Sequence, residues 1–219
     1  MNKNTRSASP DLDRFAQRIT ELRQALQSRS LDRLILDTGA TFISTNANQG
    51  EFHLPLWSRP VRITYPAFIA YPIAGEEPLP SFLQAMLLYY FNTADGTPPS
   101  EQWISFADLP DGRFYNQAFQ SYTGAELVRR FKDNPAAFEQ AALRLGGIRG
   151  ALGDASFVFQ ALPRVALLVV IWQGDEDFPC SFQVLFDNTA SHYLPTDGYA
   201  ILGSTITHRL IADQPNKPS

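Results

Sequence analysis

Lysine is nearly missing from this chain: of its 18 Lys and Arg residues only Lys3, Lys132 and Lys217 are lysines, and the formal net charge is −4. Binding to a phosphate backbone needs clustered excess cations, so nucleic acid is not an expected partner. Cysteine occurs once, at Cys180. That excludes an intrachain disulfide and leaves no thiolate metal site that one chain could complete. No apolar run reaches the roughly 20 residues a membrane span requires. The longest, Val165–Trp172, has eight. Nucleotide-cradling glycine loops, HExxH and the GxSxG elbow are all absent from the sequence, which removes the motif-level signs of a nucleotide-binding protein, a zinc protease or an α/β-hydrolase. Residues 1–10 are polar with no apolar core of a signal peptide, so the expectation is a soluble, cytoplasmic protein.

Apolar residues make up 44% of the 219 positions and aromatics 12%, enough for a continuous core. No linker, charge run or repeat divides the chain, and the expected organisation is a single domain over 10–212 between disordered tails at 1–9 and 213–219. Ser9 before Pro10 reads as a helix start, with Phe15, Ile19, Leu22 and Leu26 on one face to about Gln27. A short helix over 31–37 should stop at Gly39. Residues 41–43, 51–57 and 61–65 read as short strands of a small antiparallel sheet. Residues 79–91 are apolar almost all round, a helix buried on most sides.

Residues 103–106 read as a short extended piece. Thr123 to Glu126 has the spacing of a capping box, and Asn134-Pro135 opens a further helix that Gly146 should stop. Strands are expected at 155–161, 165–172 and 181–186, and a last helix at 197–211. Val165–Trp172 is β-branched and apolar throughout, as a central strand covered on both faces would be. Helices and strands come in blocks, so the class is α+β, an antiparallel sheet with a C-terminal meander packed by helices.

Polar groups gather in connections. Asp175, Glu176 and Asp177 lie between the two strongest strands, with Asp187 at the far end of the second. Paired carboxylates on a loop can bind Mg²⁺ or Ca²⁺ or exchange protons, although this triplet lacks the spacing of a calcium loop and loops are polar by default. His192 has Ser191 and Asp187 close in sequence, which suggests a histidine base oriented by Asp187. His53 reads as structural and His208 as lying on a polar helix face. Cys180, among acidic neighbours, reads as a packing residue. Seven aromatics from Trp103 to Phe131 either line a pocket or form core. Arg129, Arg130 and Lys132 read as a solvated helix face.

Five blocks, Ala94-Asp95-Gly96-Thr97-Pro98, Trp103-Ile104-Ser105-Phe106, Leu162-Pro163-Arg164-Val165, Trp172 with Gly174-Asp175-Glu176 and Phe178-Pro179, and Leu185-Phe186-Asp187 with His192-Tyr193-Leu194-Pro195-Thr196, resemble a prokaryotic domain-of-unknown-function family over about residues 31–211. Some of its members carry a cysteine-rich iron–sulfur segment, and the resemblance implies an accessory role near redox or cofactor chemistry. This chain has no cluster-binding stretch, and the resemblance supplies no catalytic residues.

The leading expectation is a non-enzymatic binding module for a protein partner or small molecule, its cofactor unspecified. Its recognition groups would be Asp95, Trp103, Arg164, Trp172, Asp175, Glu176, His192 and Tyr193, in two groups at opposite ends of the central strand. One alternative is a small hydrolase using His192 with a nearby carboxylate. Another is a structural subunit, suggested by Trp57, Tyr65, Phe68 and Tyr71 in a proline-rich stretch.

Overall fold

A computed structural model describes residues 10–212, with side chains from residue 14. The expected tails and the Ser9 cap lie outside the described residues. Helix α1 (Pro10–Gln27) buries Ile19, Leu22 and Leu26, while Phe15 is half outside, at the end of that stripe. Helix α2 (Leu31–Thr38) stops where expected: Gly39 takes φ +66 and its N–H returns to the Ile35 carbonyl. A four-stranded antiparallel sheet follows, in the order β1 (Thr41–Asn46), β2 (Gln49–Leu56), β3 (Arg59–Tyr65), β4 (Ala70–Pro72). Phe52, Leu54, Val61 and Ile63 alternate onto its buried face. Trp57 and Phe68 are buried and Tyr65 and Tyr71 half-buried, so of the four aromatics behind the structural-subunit expectation only the two tyrosines reach the surface in part.

Helix α3 (Ser81–Thr93) lies against that sheet, with Phe91 on Phe52 at 5.0 Å between ring centres. It is buried as its composition requires, except for Phe82, which is 46% exposed. The second sheet has the order β5 (Trp103–Ile104), β9 (Ser181–Asp187), β8 (Val165–Trp172), β7 (Ala155–Leu162), β6 (Ile148–Arg149), all antiparallel. The meander is as expected, with Leu167 opposite Phe186 and Trp172 opposite Ser181.

Helices α4 (Gly112–Tyr122), α5 (Gly124–Phe131), α6 (Pro135–Arg144) and α7 (Thr196–Ala212) cover its inner face. Phe119 and Tyr199 meet Phe186, and Phe131 and Phe138 meet Phe182. The outer face is roofed by the loop after β6, whose Gly150 and Gly153 sit against Leu168 and Val170, and at Gly153 a Cβ would stand 2.5 Å from the Ile171 carbonyl oxygen. Both faces of β8 are therefore dry, the condition its unbroken apolar run implies. One cluster of buried side chains runs through both sheets, which are joined by the Trp57 N–H to Ala161 carbonyl bond at 2.9 Å. The class is α+β. Among the described residues no helix is long and apolar enough to cross a membrane.

Asn134 caps α6 by accepting from the Ala137 N–H at 3.0 Å. Thr123 does not cap α5. Helix α4, whose N-cap Asp111 makes no side-chain cap bond, runs into α5 with only Thr123 between them, and the Thr123 hydroxyl donates backward to the Phe119 carbonyl at 2.6 Å. The capping-box spacing therefore marks a helix-to-helix joint instead of a free helix start.

Candidate functional site

Four distant segments meet at the N-terminal end of β8. Asp95 sits in the turn after α3, where its Oδ1 accepts from the Thr97 N–H at 3.0 Å. Its Oδ2 lies 2.6 Å from His192 Nδ1, and the Thr97 hydroxyl lies 3.2 Å from the same nitrogen. The Tyr193 hydroxyl donates to the Thr97 carbonyl. Tyr193 packs against Tyr90 with ring centres 6.1 Å apart. The buried Tyr90 hydroxyl donates to the Thr38 carbonyl at 2.6 Å and accepts from the Arg164 N–H at 3.2 Å. Asp95, Arg164, His192 and Tyr193, half of the residues singled out from sequence, therefore belong to one junction. Gly96 is needed here: at φ +82 a Cβ would stand 3.0 Å from Asp37 Oδ1. Asp37 Oδ1 and Arg164 Nε are buried and have no hydrogen-bond partner.

The hydrogen bond with His192 is the main cause that brings the Asp95 carboxyl down to about 2. Burial raises Tyr193 above the ordinary phenol value. A carboxyl lowered by folding stabilises the native state at pH values above its unfolded value, near ~4, and that contribution is lost as pH falls toward the folded value. Asp95 and His192 are 48% and 44% exposed, and solvent screens such pairs to about 1 kcal/mol or less. Thermal melts of wild type and Asp95→Asn should therefore differ by a few degrees at pH 7 and converge near pH 2. A gap that widens in acid would refute the assignment.

Asp187 does not orient His192, and the sequence expectation on this pair is corrected. Its Oδ1 accepts from the Ser100 N–H and hydroxyl at 3.1 and 2.9 Å and from the Thr189 N–H and hydroxyl at 2.9 and 2.6 Å. Its Oδ2 accepts from the Glu101 N–H at 2.7 Å. That coordination ties the loop before β5 to the turn after β9, and all five donors come from Ser100, Glu101 and Thr189, none from His192. A triad needs carboxylate and nucleophile on opposite ring nitrogens. Around His192, Asp95 and the Thr97 hydroxyl share Nδ1, and among the described residues no side chain bonds Nε2.

The other four candidates lie elsewhere. Trp103 and Trp172 flank Leu168, Val170 and Leu185 on the outer face of the large sheet, as packing. Asp175 and Glu176 lie at the far end of β8 from Arg164, as the hairpin register requires. Asp175 Oδ1 accepts from the Asp177 and Phe178 N–H groups at 2.9 and 2.7 Å, so this carboxylate shapes its own loop. Among the described residues no group of three His, Cys, Asp or Glu side chains is placed to hold a metal ion. Cys180 is half-buried, with its thiol donating to the Lys132 carbonyl at 3.2 Å, and burial followed by Asp133 and Asp154 pushes its pKa up. One such thiol does not fit an iron–sulfur cluster, which takes four thiolates. His53 bonds Glu51 at 3.1 Å and His208 is exposed.

A groove lies beside the junction, and two of the seven aromatics read from sequence as either pocket lining or core stand on it. The groove, of about 840 Å³, runs between α1, α3, the start of α4 and residues 191–197. Leu22, Leu109, Leu194 and Pro195 line it. Phe114 and Tyr115, 85% and 61% exposed, also line it. Of the seven aromatics between Trp103 and Phe131, Phe106, Phe119 and Phe131 are core, and these two alone face outward to this degree. The signal was their adjacency on α4, where Phe119 takes the buried position.

The arrangement defines an α+β domain of two antiparallel sheets with a polar junction and an open groove on one side. The chain belongs to the family described as domain of unknown function (DUF3786), which it matches over residues 33–209. Compared with curated proteins and with solved structures, it matches none.

Proposed function

We propose that this domain is a binding module without catalysis of its own, which receives a segment of a partner protein in the groove between α1, α3 and α4. The observation that carries the reading is the outward pair Phe114 and Tyr115, 85% and 61% exposed on the groove wall. Large aromatics at a solvent-facing groove are the residue type that anchors protein interfaces, and a rim of Arg18, Glu21, Asp111 and Asp197 supplies polar contacts of both signs around an apolar floor. The groove at ~840 Å³ is open on one side and suits a chain segment laid along it. The junction of Asp95, Arg164, His192 and Tyr193 abuts the groove through Ser191 and Leu194, and on this reading it adds recognition of a charged group on the same partner. One cysteine and no disulfide suit a reducing compartment such as the cytoplasm.

The test is gentle purification from the native host, with identification of what travels with the protein. The double variant Phe114→Ser/Tyr115→Ser should lose the partner by tenfold or more. Its melting temperature should stay within about 2 °C, because substitutions at exposed sites change stability by ~0.5 kcal/mol or less. A wild-type protein that elutes alone, or a variant that retains its partner, refutes the reading.

A further inference from the structure

A second cavity, about 430 Å³, lies on another side of the molecule between the β2–β3 hairpin, α3 and α7. It falls within the size range of small-molecule sites. Leu83, Met86, Ile201 and Leu202 form its walls and Phe82, 46% exposed, stands at its mouth. Two guanidiniums, Arg59 and Arg209, are the charged groups in this lining, and it contains no Asp or Glu. Among the described residues neither arginine has a carboxylate partner. Arg209 instead lies over the Trp57 ring at 5.5 Å. Burial, and then the proximity of Arg59, lower its pKa. Two cations of one sign beside an apolar cavity, with no carboxylate in its lining, repel each other while the site is empty.

The hairpin itself points the same way. Trp57 and Ser58 form the two-residue turn between β2 and β3 at φ +51 and +64. Such turns favour Asn-Gly, because residues with a Cβ resist positive φ. A tryptophan there is not chosen by the turn. Its buried ring forms cavity wall and the stacking surface for Arg209.

We infer that this cavity is a binding site for an amphipathic anion, an apolar chain or ring bearing one carboxylate, with Leu83, Met86 and Ile201 enclosing the apolar part and Arg59 and Arg209 receiving the head group. A planar guanidinium can take a carboxylate through two parallel hydrogen bonds. The site lies apart from the groove, so either reading can fail without the other.

Titration of the full-length protein with decanoate, below the concentration at which it forms micelles, tests the inference by calorimetry and by the fluorescence of Trp57. Binding should saturate at one equivalent. Each methylene removed from the chain should weaken it about fourfold, the equivalent of ~0.8 kcal/mol per CH₂. Decanol, which keeps the chain and lacks the charge, should bind at least tenfold more weakly, and decyltrimethylammonium should not compete. Arg59 is exposed, so Arg59→Gln should fold normally and weaken decanoate about tenfold while leaving decanol unchanged. Trp57→Phe should abolish the fluorescence response, and a response that persists in this variant overturns the inference. Equal binding of decanoate and decanol, no effect of Arg59→Gln, or no saturation overturns the inference. So does self-association that Arg59→Gln abolishes, since a second copy would then be the occupant.

Discussion

Replacing Arg29 by methionine is expected to lower the unfolding free energy by about 3 kcal/mol, the low end of the range for breaking a buried ion pair. Arg29 joins the end of α1 to two other helices. One of its terminal nitrogens donates to the Phe91 and Asn92 carbonyls at 2.6 and 3.1 Å. The other donates to Asp37 Oδ2 at 2.8 Å and to the Ala94 carbonyl at 3.0 Å. It thereby satisfies carbonyls at the C-terminus of α3 that no helical bond reaches. Methionine keeps the apolar stem and removes every donor. Asp37, 4% exposed and already holding one unpaired oxygen, is then left as a lone buried charge. For a chain of this length the melting temperature should fall by about 6–12 °C. Urea unfolding should show a lower midpoint at an unchanged slope. The double variant Arg29→Met/Asp37→Leu removes the stranded charge and should recover part of the loss. If single and double variants melt together, the charge is not the cause.

Asp187→Ala is expected to destabilise by roughly 2–3 kcal/mol, because three backbone N–H groups and two hydroxyls lose a charged acceptor together. Burial pushes the Asp187 carboxyl up, and the bonds from Thr189 and Ser100 outweigh it, so the group ends below its ordinary value. The sign follows from that direction. The contribution is complete above the unfolded carboxyl value and disappears as pH falls through the folded one. Wild type and variant should therefore differ most at pH 6–7 and least in strong acid. Amide exchange should quicken at residues 100–102 and 188–189 first, since these are the segments Asp187 holds. Uniform loosening of the whole large sheet would contradict a local tie.

The large sheet was legible from sequence because its signal is local. Eight unbroken apolar residues in β8 imply cover on both faces, and Phe182, Val184 and Phe186 mark the inner face of β9. Helix α4 was not legible, because its aromatics split between Phe119, fully buried, and the exposed Phe114 and Tyr115, which blurs the apolar stripe. The junction was half legible. Its members carry polar side chains in connections, which sequence displays, but Asp95 and His192 are 97 positions apart and only the packing of the chain pairs them. Asp187 stood five residues from His192 and was the natural partner by proximity. It is instead satisfied by Thr189, two positions on, and by Ser100 and Glu101, 87 and 86 positions away, and the distant donors are recorded by no local pattern.

The short outer strands of the large sheet also bear on how the protein survives its own synthesis. Strands β5 and β6 are two residues each, and they flank the three long strands of this sheet. A sheet ending in a long, flat, oily ribbon would offer its unpaired amides to any neighbouring chain, the opening step toward fibrils. Here the template is cut to a stub on either side, with Arg149 on one of them. Lengthening either stub with β-branched residues should leave the native fold intact and raise the fraction of newly made chain that clumps as it leaves the ribosome.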